Sequence, residues 1–426
     1  MQTHDNVIEF QHRSYTMLAL VLAGEAIFFL PFVVARIFRP TLLDVFEITN
    51  LQLGVAFSAY GTFAMLSYFP GGLLADRFDA RRLMVAALLS TALGGIAFAM
   101  TPGFRALVWL FGFWGVTTIL MFWAALIRVT RQWGGQRLQG TAFGLLDAGR
   151  GLSAAAIGSI GVVALGWMLP DAVETATLDQ RRAALARVIL GFTIATAATA
   201  IIVWYAIPAR KTANPLRVVA DSPGVLATVR LPAVWAQAVA IVCAYVCYKG
   251  LDDVSLFARD VMRLDEVRAA RASTMAMWIR PPAALVAGLV ADRWRVSSMM
   301  MISFAVVAFG SGIIASGWIQ WGGLSLFYLT IATTSAAVFG LRGLYFAMME
   351  EGKIPVLTTG TAVGVVSVIG FTPDIFMGPL TGYLLDRSPG PQGHQHLFAV
   401  VACFAIAGFL AAAMLRIRIR LIRTLP

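Results

Sequence analysis

A few charged residues stand inside segments that otherwise avoid water: Glu25, Asp147, Arg150, Lys249, Asp252, Asp253, Arg280, Arg342 and Asp374. A charge near the middle of a membrane helix costs about 2.5–3.5 kcal/mol on insertion scales, so it is kept where it meets a partner or a water-filled path. Arginine holds a carboxylate or phosphate through paired N–H donors and stays charged throughout. Arg150 and Arg280 lie near the centres of two different apolar segments. Two guanidinium groups facing one cavity repel unless an anion lies between them. One expectation is therefore an anionic small molecule clamped by Arg150 and Arg280, with Lys249 assisting. The other is neutralisation within the protein. Asp147 is placed to pair with Arg150, because residues at i and i+3 share a helix face. Glu25 or Asp374 is placed to pair with Arg280, and Arg342 is a further candidate for intramembrane pairing. The two expectations coexist if a pair opens when substrate enters.

Glu25 and Asp374 are the acidic residues nearest the middle of their segments. A carboxylate there can take up and release a proton, so both are candidates for proton coupling as well as for substrate binding. The histidines, His4, His12, His394 and His396, fall in a terminus or a loop, which sets them aside as intramembrane relays. Pro281 and Pro282 follow Arg280, and Pro373 precedes Asp374. Proline kinks a helix, and irregular backbone at membrane depth is tolerated where it is buried in protein or lines a cavity. Of the aromatics at that level, Tyr60, Trp123, Tyr245, Tyr248, Trp278 and Tyr345 are available to shape a pocket.

The elements that position these residues are apolar helices. Hydrophobic residues make up 59% of the chain and charged ones 13%, and mean hydropathy is +0.78. That excludes an ordinary soluble domain. Apolar runs recur at roughly 15–37, 51–74, 83–101, 105–128, 140–168, 187–207, 232–257, 271–291, 297–317, 324–349, 360–385 and 396–415. Each is long enough to cross a hydrocarbon core of about 30 Å. Alternating ten-residue strands of a barrel are missing. The predicted fold class is therefore an all-α polytopic membrane protein with twelve transmembrane helices.

With both termini in the cytoplasm, the cytoplasmic loops hold the larger share of Lys and Arg, including Arg77, Arg81, Arg82, Arg128, Arg131, Arg137, Arg210, Lys211 and the tail "RIRIRLIR". That is the positive-inside pattern. The net charge of +11 is explained by this and by attraction to anionic lipid headgroups, so nucleic acid is not an expected partner. Trp133, Trp167, Trp204, Trp294, Trp318 and Trp321 sit near span ends as interfacial anchors. Cys243, Cys247 and Cys403 fall in apolar runs with no metal or disulfide spacing, and no metal or cofactor is expected.

The chain repeats itself. "GGLLADRF" (71–78) follows the second span and "AGLVADRW" (287–294) follows the eighth. "GTAFG" (140–144) opens the fifth and "GTAVG" (360–364) the eleventh. The halves predicted are 1–207 and 232–426, two pseudo-symmetric six-helix bundles joined by a cytoplasmic linker at 208–231. Parallel six-helix repeats are a transporter architecture.

"GGLLADRFDARR" resembles the loop 2–3 signature of the major facilitator superfamily (MFS), matching at Gly72, Leu74, Asp76, Arg77, Arg81 and Arg82. Asp79 departs from it, standing where the family has glycine. The second copy keeps Gly288, Asp292 and Arg293, with Arg295 at the glycine position. "RGLYFAMMEEGKIP" and "GTAVGVVSVIGFTPDIF" are similar to the YihN-like bacterial branch. The resemblance implies the MFS fold and secondary active transport by alternating access. It also implies a cytoplasmic gate in which Asp76 and Asp292 face the starts of the eleventh and fifth helices. A carboxylate is stabilised at such a helix start. The expected function is transport of a small organic anion across a bacterial inner membrane, with proton coupling. The alternative is a lysolipid or other amphiphile transporter or flippase of the same fold. A membrane-embedded enzyme would need a catalytic constellation that the sequence lacks. No ATP-binding motif is present, so the expected driving force is a gradient.

Overall fold

The structure, a computed structural model, describes residues 2–135, 139–170, 172–209, 232–291, 294–344, 366 and 368–424. Among these the chain is helical and has no strand. Among the described residues, eight helices are long and apolar enough to cross a membrane, and a bent pair, Arg13–Ala26 with Phe29–Ile37, makes a ninth candidate. The second span is the continuous helix Asn50–Arg77, and the eighth and eleventh are interrupted or run into undescribed residues. The expected linker lies outside the described residues apart from 208 and 209.

Two compact units emerge. The first holds residues 1–48, 55–215 and 265–281. Its helices are α1 (Gln2–Ala26), α2 (Val34–Ile37), α3 (Arg39–Phe46), α4 (Asn50–Arg77), α5 (Ala80–Ala99), α6 (Phe104–Val116), α7 (Ala124–Gly134), α8 (Gln139–Met168) and α9 (Leu178–Ala206). The later segment 265–281 adds α12 (Glu266–Trp278), which packs on α8. The second unit holds 49–54, 216–264 and 282–426. It contains α10 (Pro232–Gly250), α11 (Val254–Asp260), most of α13 (Arg280–Ala291), α14 (Val296–Ala315), α15 (Trp318–Leu344), α16 (Pro373–Arg387) and α17 (Pro391–Thr424). There α17 packs against α10, α14 and α16.

Helix ends follow local chemistry. Span 6 starts at Leu178, earlier than its apolar run. Thr177 and Gln180 form a capping box there: the Thr177 hydroxyl accepts from Gln180 N at 3.3 Å, and Gln180 Oε1 accepts from Thr177 N at 2.9 Å. Arg181 in the added turn pairs with Glu266 at 2.8 Å, and Glu266 also accepts from Thr41 at 3.1 Å. α17 likewise starts at Pro391 rather than near 396, with proline supplying the first helical φ. Backbone breaks at Gly323 (φ 62°, ψ −161°), the left-handed region open to glycine, just before the apolar run of span 10.

Two stretches wind wider than an α-helix, at Phe29–Val33 and Thr117–Trp123. In the first, Pro31 has no N–H to give to Ile27, and Val33 N donates to Phe28 O at 3.3 Å. The carbonyl of Ala26 accepts from Thr196 Oγ1 at 3.1 Å. In the second, threonines carry the network: Thr117 pairs with Thr91 at 2.8 Å and Thr118 with Tyr60 at 2.7 Å. Such wide turns often mark functional sites. Of the tryptophans expected as anchors, Trp167, Trp204, Trp294, Trp318 and Trp321 are exposed, and Trp133 is half-buried. Cys243 and Cys247 are buried in α10, while Cys403 lies exposed on α17.

Candidate functional site

The first unit gathers four of the expected residues into one charged cluster. Glu25 is in the last turn of α1, beside the wide turn. Arg150 and Asp147 are on α8, and Arg280 is the first residue of α13, past the break at Ile279. Glu25 Oε2 lies 3.2 Å from Arg150 Nε and 3.6 Å from Arg280 Nη1. Arg280 Nη2 donates to Asp147 Oδ1 at 2.8 Å. Glu25 and Arg280 are 5% and 6% exposed, so the pairs of Glu25 are buried, whereas Asp147 is partly exposed. Arg280 is a cation at a helix N-terminus, the electrostatically wrong end, and its two carboxylate partners offset that.

The space is cut to fit the arginines. A Cβ on Gly24 would lie 3.1 Å from Arg150 Cδ, and one on Gly151 would lie 3.0 Å from Arg280 Cδ. The Arg150 guanidinium lies 5.4 Å from the Phe28 ring and 5.7 Å from the Trp123 ring. Both rings attract a cation through their faces. Trp278 donates to Ser159 Oγ at 3.0 Å.

One sequence expectation changes here and another is narrowed to one partner. Asp147 pairs with Arg280, not with Arg150. Sharing a helix face did not decide the partner: Arg150 turns its Nε to Glu25, and Asp147 accepts from Arg280. Arg280 pairs with Glu25, and Asp374 is engaged elsewhere. The two arginines are therefore held together by a protein carboxylate. Within this cluster two cations face two anions.

The second unit builds another cluster. Lys249 Nζ lies 2.7 Å from Asp374 Oδ1 and 3.9 Å from Asp252 Oδ2. Tyr245 donates its hydroxyl to Asp374 at 3.0 Å. Arg342 stacks on Tyr248, its guanidinium carbon 4.0 Å from the ring centre, and lies 5.8 Å from Tyr245. Asp374 sits in the first turn of α16, where a carboxylate is favoured. Pro373 and the pair Pro281–Pro282 start helices here rather than kinking their interiors. The backbone breaks precede them, at Phe371–Thr372 and at Ile279.

His394 corrects the sequence reading most. Its polar neighbourhood, "PGPQGHQH", reads as loop, yet it lies in the first turns of α17 with 1% exposure. Nδ1 is 2.6 Å from Asp253 Oδ2, and Nε2 is 3.6 Å from Asp260 Oδ2. The available signal was Pro391, which suits a helix start.

At the gate motif, Gly72, Asp76 and Arg77 lie on the last turns of α4, and Arg81 and Arg82 on the first turn of α5. Asp79 caps α5, its carboxylate accepting from Arg82 N at 3.1 Å with ordinary extended backbone. The glycine of the family pattern is thus replaced by a capping residue. Arg81 packs on Trp204 and donates to its carbonyl at 3.3 Å. Arg128, read from sequence only as a topological charge, donates to the carbonyls of Ala75 and Phe78 and so closes the C-terminus of α4. Gly288 is on α13. Asp292, Arg293, Tyr345 and the start of the eleventh span lie outside the described residues, as does the gate contact expected there. No group of three or more His, Cys, Asp or Glu arranged to hold a metal occurs among the described residues.

The sequence profile of the Major Facilitator Superfamily matches residues 17–351. The chain belongs to that superfamily. Two relatives from Escherichia coli (strain K12) extend the match over almost its whole length. Inner membrane protein YihN is 24% identical, covering 94% of each chain. Inner membrane protein YqcE is 23% identical, covering 91% of this chain and 92% of its own. Among solved structures, an inward-facing, unoccupied bacterial homologue of the human lysosomal transporter Spinster aligns with TM-score 0.71 and 14% identity, over 94% of this chain and 97% of that one. The nucleoside transporter NupG aligns with TM-score 0.72 and 12% identity, over 95% and 99%. The fold is therefore the twelve-helix MFS fold in two pseudo-symmetric bundles. The protein is a multi-pass inner membrane protein and a secondary transporter of a small molecule rather than an enzyme.

Proposed function

We propose that the transported molecule is a small organic anion, bound by Arg150 and Arg280 when Glu25 gives up its place between them. One observation carries this reading: a single carboxylate oxygen lies within 3.6 Å of both guanidinium groups in a buried setting. A substrate carboxylate or phosphate offers the same chemistry in the same place. Protonating Glu25 removes one negative charge from between the two arginines, which invites an anion. Proton uptake at Glu25 and anion binding then favour each other, as symport requires. Lys249, Asp374 and Arg342 form the second charged group available to the substrate or to a second proton. Cytoplasmic termini are supported by the distribution of Lys and Arg, and the motif at 71–82 supports a gate on that side.

The test is thermal-shift screening of the purified protein against sugar phosphates, mono- and dicarboxylates, sugar acids, lysophospholipids and neutral sugars. Wild type, Arg150→Ala and Arg280→Ala are compared. The proposal expects stabilisation by one anionic class that both variants lose. Stabilisation by a neutral or cationic compound that both variants retain refutes it and leaves the arginines as structural partners.

A further inference from the structure

The second unit holds a buried ionisable group that the anion reading does not use. His394 enters from the first turns of α17. Asp253 comes from the short 3₁₀ turn Leu251–Asp253, and Asp260 and Arg259 from the end of α11. His394 and Asp253 are 1% and 0% exposed. Phe257 meets the imidazole edge-on at 5.2 Å, and Phe327 and Phe398 pack on Phe257, so the surroundings are apolar. Both ring nitrogens face carboxylate oxygens, Nδ1 at 2.6 Å and Nε2 at 3.6 Å. A neutral imidazole has one N–H and one lone pair, so one nitrogen would turn its lone pair on a carboxylate. A protonated ring has two N–H groups and suits both partners.

Charge accounting agrees. Arg259 Nε lies 2.9 Å from Asp260 Oδ1 and answers its charge. Asp253 has His394 as its ion-pair partner among the described residues, and its other oxygen, Oδ1, is buried with no hydrogen bond there. With the ring charged, two cations face two anions. With the ring neutral, a fully buried carboxylate has no counter-charge, which is strongly unfavourable. Asp252 and Lys249 lie on the turn and the preceding helix, His396 is exposed, α15 carries Tyr328 beside Phe327 and Arg342 towards its far end, and α16 ends with Asp386 and Arg387.

We infer that His394, Asp253 and Asp260 form a proton-binding site, with the proton carried on the imidazole and shared towards Asp253. The inference stands apart from the anion reading and survives its failure. The same 3₁₀ turn carries Asp252, which lies 3.9 Å from Lys249, the partner of Asp374. A change of charge at His394 therefore acts on the turn that borders the Lys249–Asp374 pair.

The experiment is solid-state nitrogen-15 NMR on histidine-labelled full-length protein in liposomes, between pH 5 and 10. His394→Gln assigns the signal among four histidines. Asp253→Asn keeps a hydrogen-bonding group of the same shape and removes the charge. The expected result is a His394 ring with both nitrogens protonated at pH 7 that loses one proton on alkalinisation. In Asp253→Asn the ring is neutral at pH 7. If His394→Gln does not fold, the signal that changes in Asp253→Asn supplies the assignment. A wild-type ring with one N–H at pH 7 overturns the inference, and so does a charge state that Asp253→Asn leaves unaltered.

Discussion

Replacing Glu25 with glutamine removes one charge and almost no volume. Its carboxylate lies 3.2 Å and 3.6 Å from two guanidinium groups. At an effective dielectric of about 20, each pair is worth about 5 kcal/mol of Coulomb attraction. Desolvation of the buried groups cancels much of that. Breaking a buried pair from one side nevertheless costs about 3–5 kcal/mol, because charge is left uncompensated. Glutamine keeps a polar carbonyl facing the arginines, so the expected loss is near the lower end, about 3 kcal/mol. The exchange proposed for Glu25 adds a second expectation. An anion that seats between Arg150 and Arg280 restores the missing charge, so it stabilises Glu25→Gln more than wild type, which must first displace or protonate its own carboxylate. Differential scanning fluorimetry in detergent, with and without the best anion from the screen, reads both effects. Unchanged stability of ligand-free Glu25→Gln would refute the ion-pair energetics. A loss of stability that no anion recovers more strongly than in wild type would refute the exchange.

Three further outcomes follow from the same geometry. Tyr245→Phe removes the hydroxyl donated to Asp374 at 3.0 Å and should cost about 1.5–3 kcal/mol, the range for hydrogen bonds to charged groups, read as a lower unfolding temperature. Asp79→Ala removes the cap of α5 and should cost about 1 kcal/mol, while Asp79→Gly, which restores the family residue, should cost only a few tenths; comparing their unfolding temperatures checks the order. Gly382→Ala places a Cβ against the backbone of Asn50 and Leu51, where Asp386 accepts from both N–H groups at 3.1 and 2.7 Å. Rigid backbone has little room to yield, so about 1–3 kcal/mol of destabilisation is expected, with faster amide exchange at residues 50 and 51.

Sequence showed the spans and the charged residues well, because apolar length and an expensive intramembrane charge are both one-dimensional signals. It named Glu25, Asp147, Arg150, Lys249, Arg280 and Asp374 together, but mispaired Asp147 and did not separate Lys249 and Asp374 into their own cluster, since partner choice depends on packing between helices. Breaks were harder to read. Pro31 announces the wide turn after Glu25, whereas the threonines at 117 and 118 announce theirs only weakly. His394 was hidden because its polar neighbours outweighed the proline that starts its helix. Asp253 beside it gave no hint of a partner 141 residues away. Arg128 was counted as a loop charge, although its role is to close a helix end.

The most direct test of the central claim is uphill uptake in proteoliposomes of the anion that stabilises the protein, with an inward proton gradient as the driving force. Wild type should accumulate the anion. Glu25→Gln should exchange internal for external anion but fail to accumulate it, because binding no longer depends on a proton at that position. Accumulation by Glu25→Gln equal to that of wild type would contradict the claim that Glu25 links the proton to the anion.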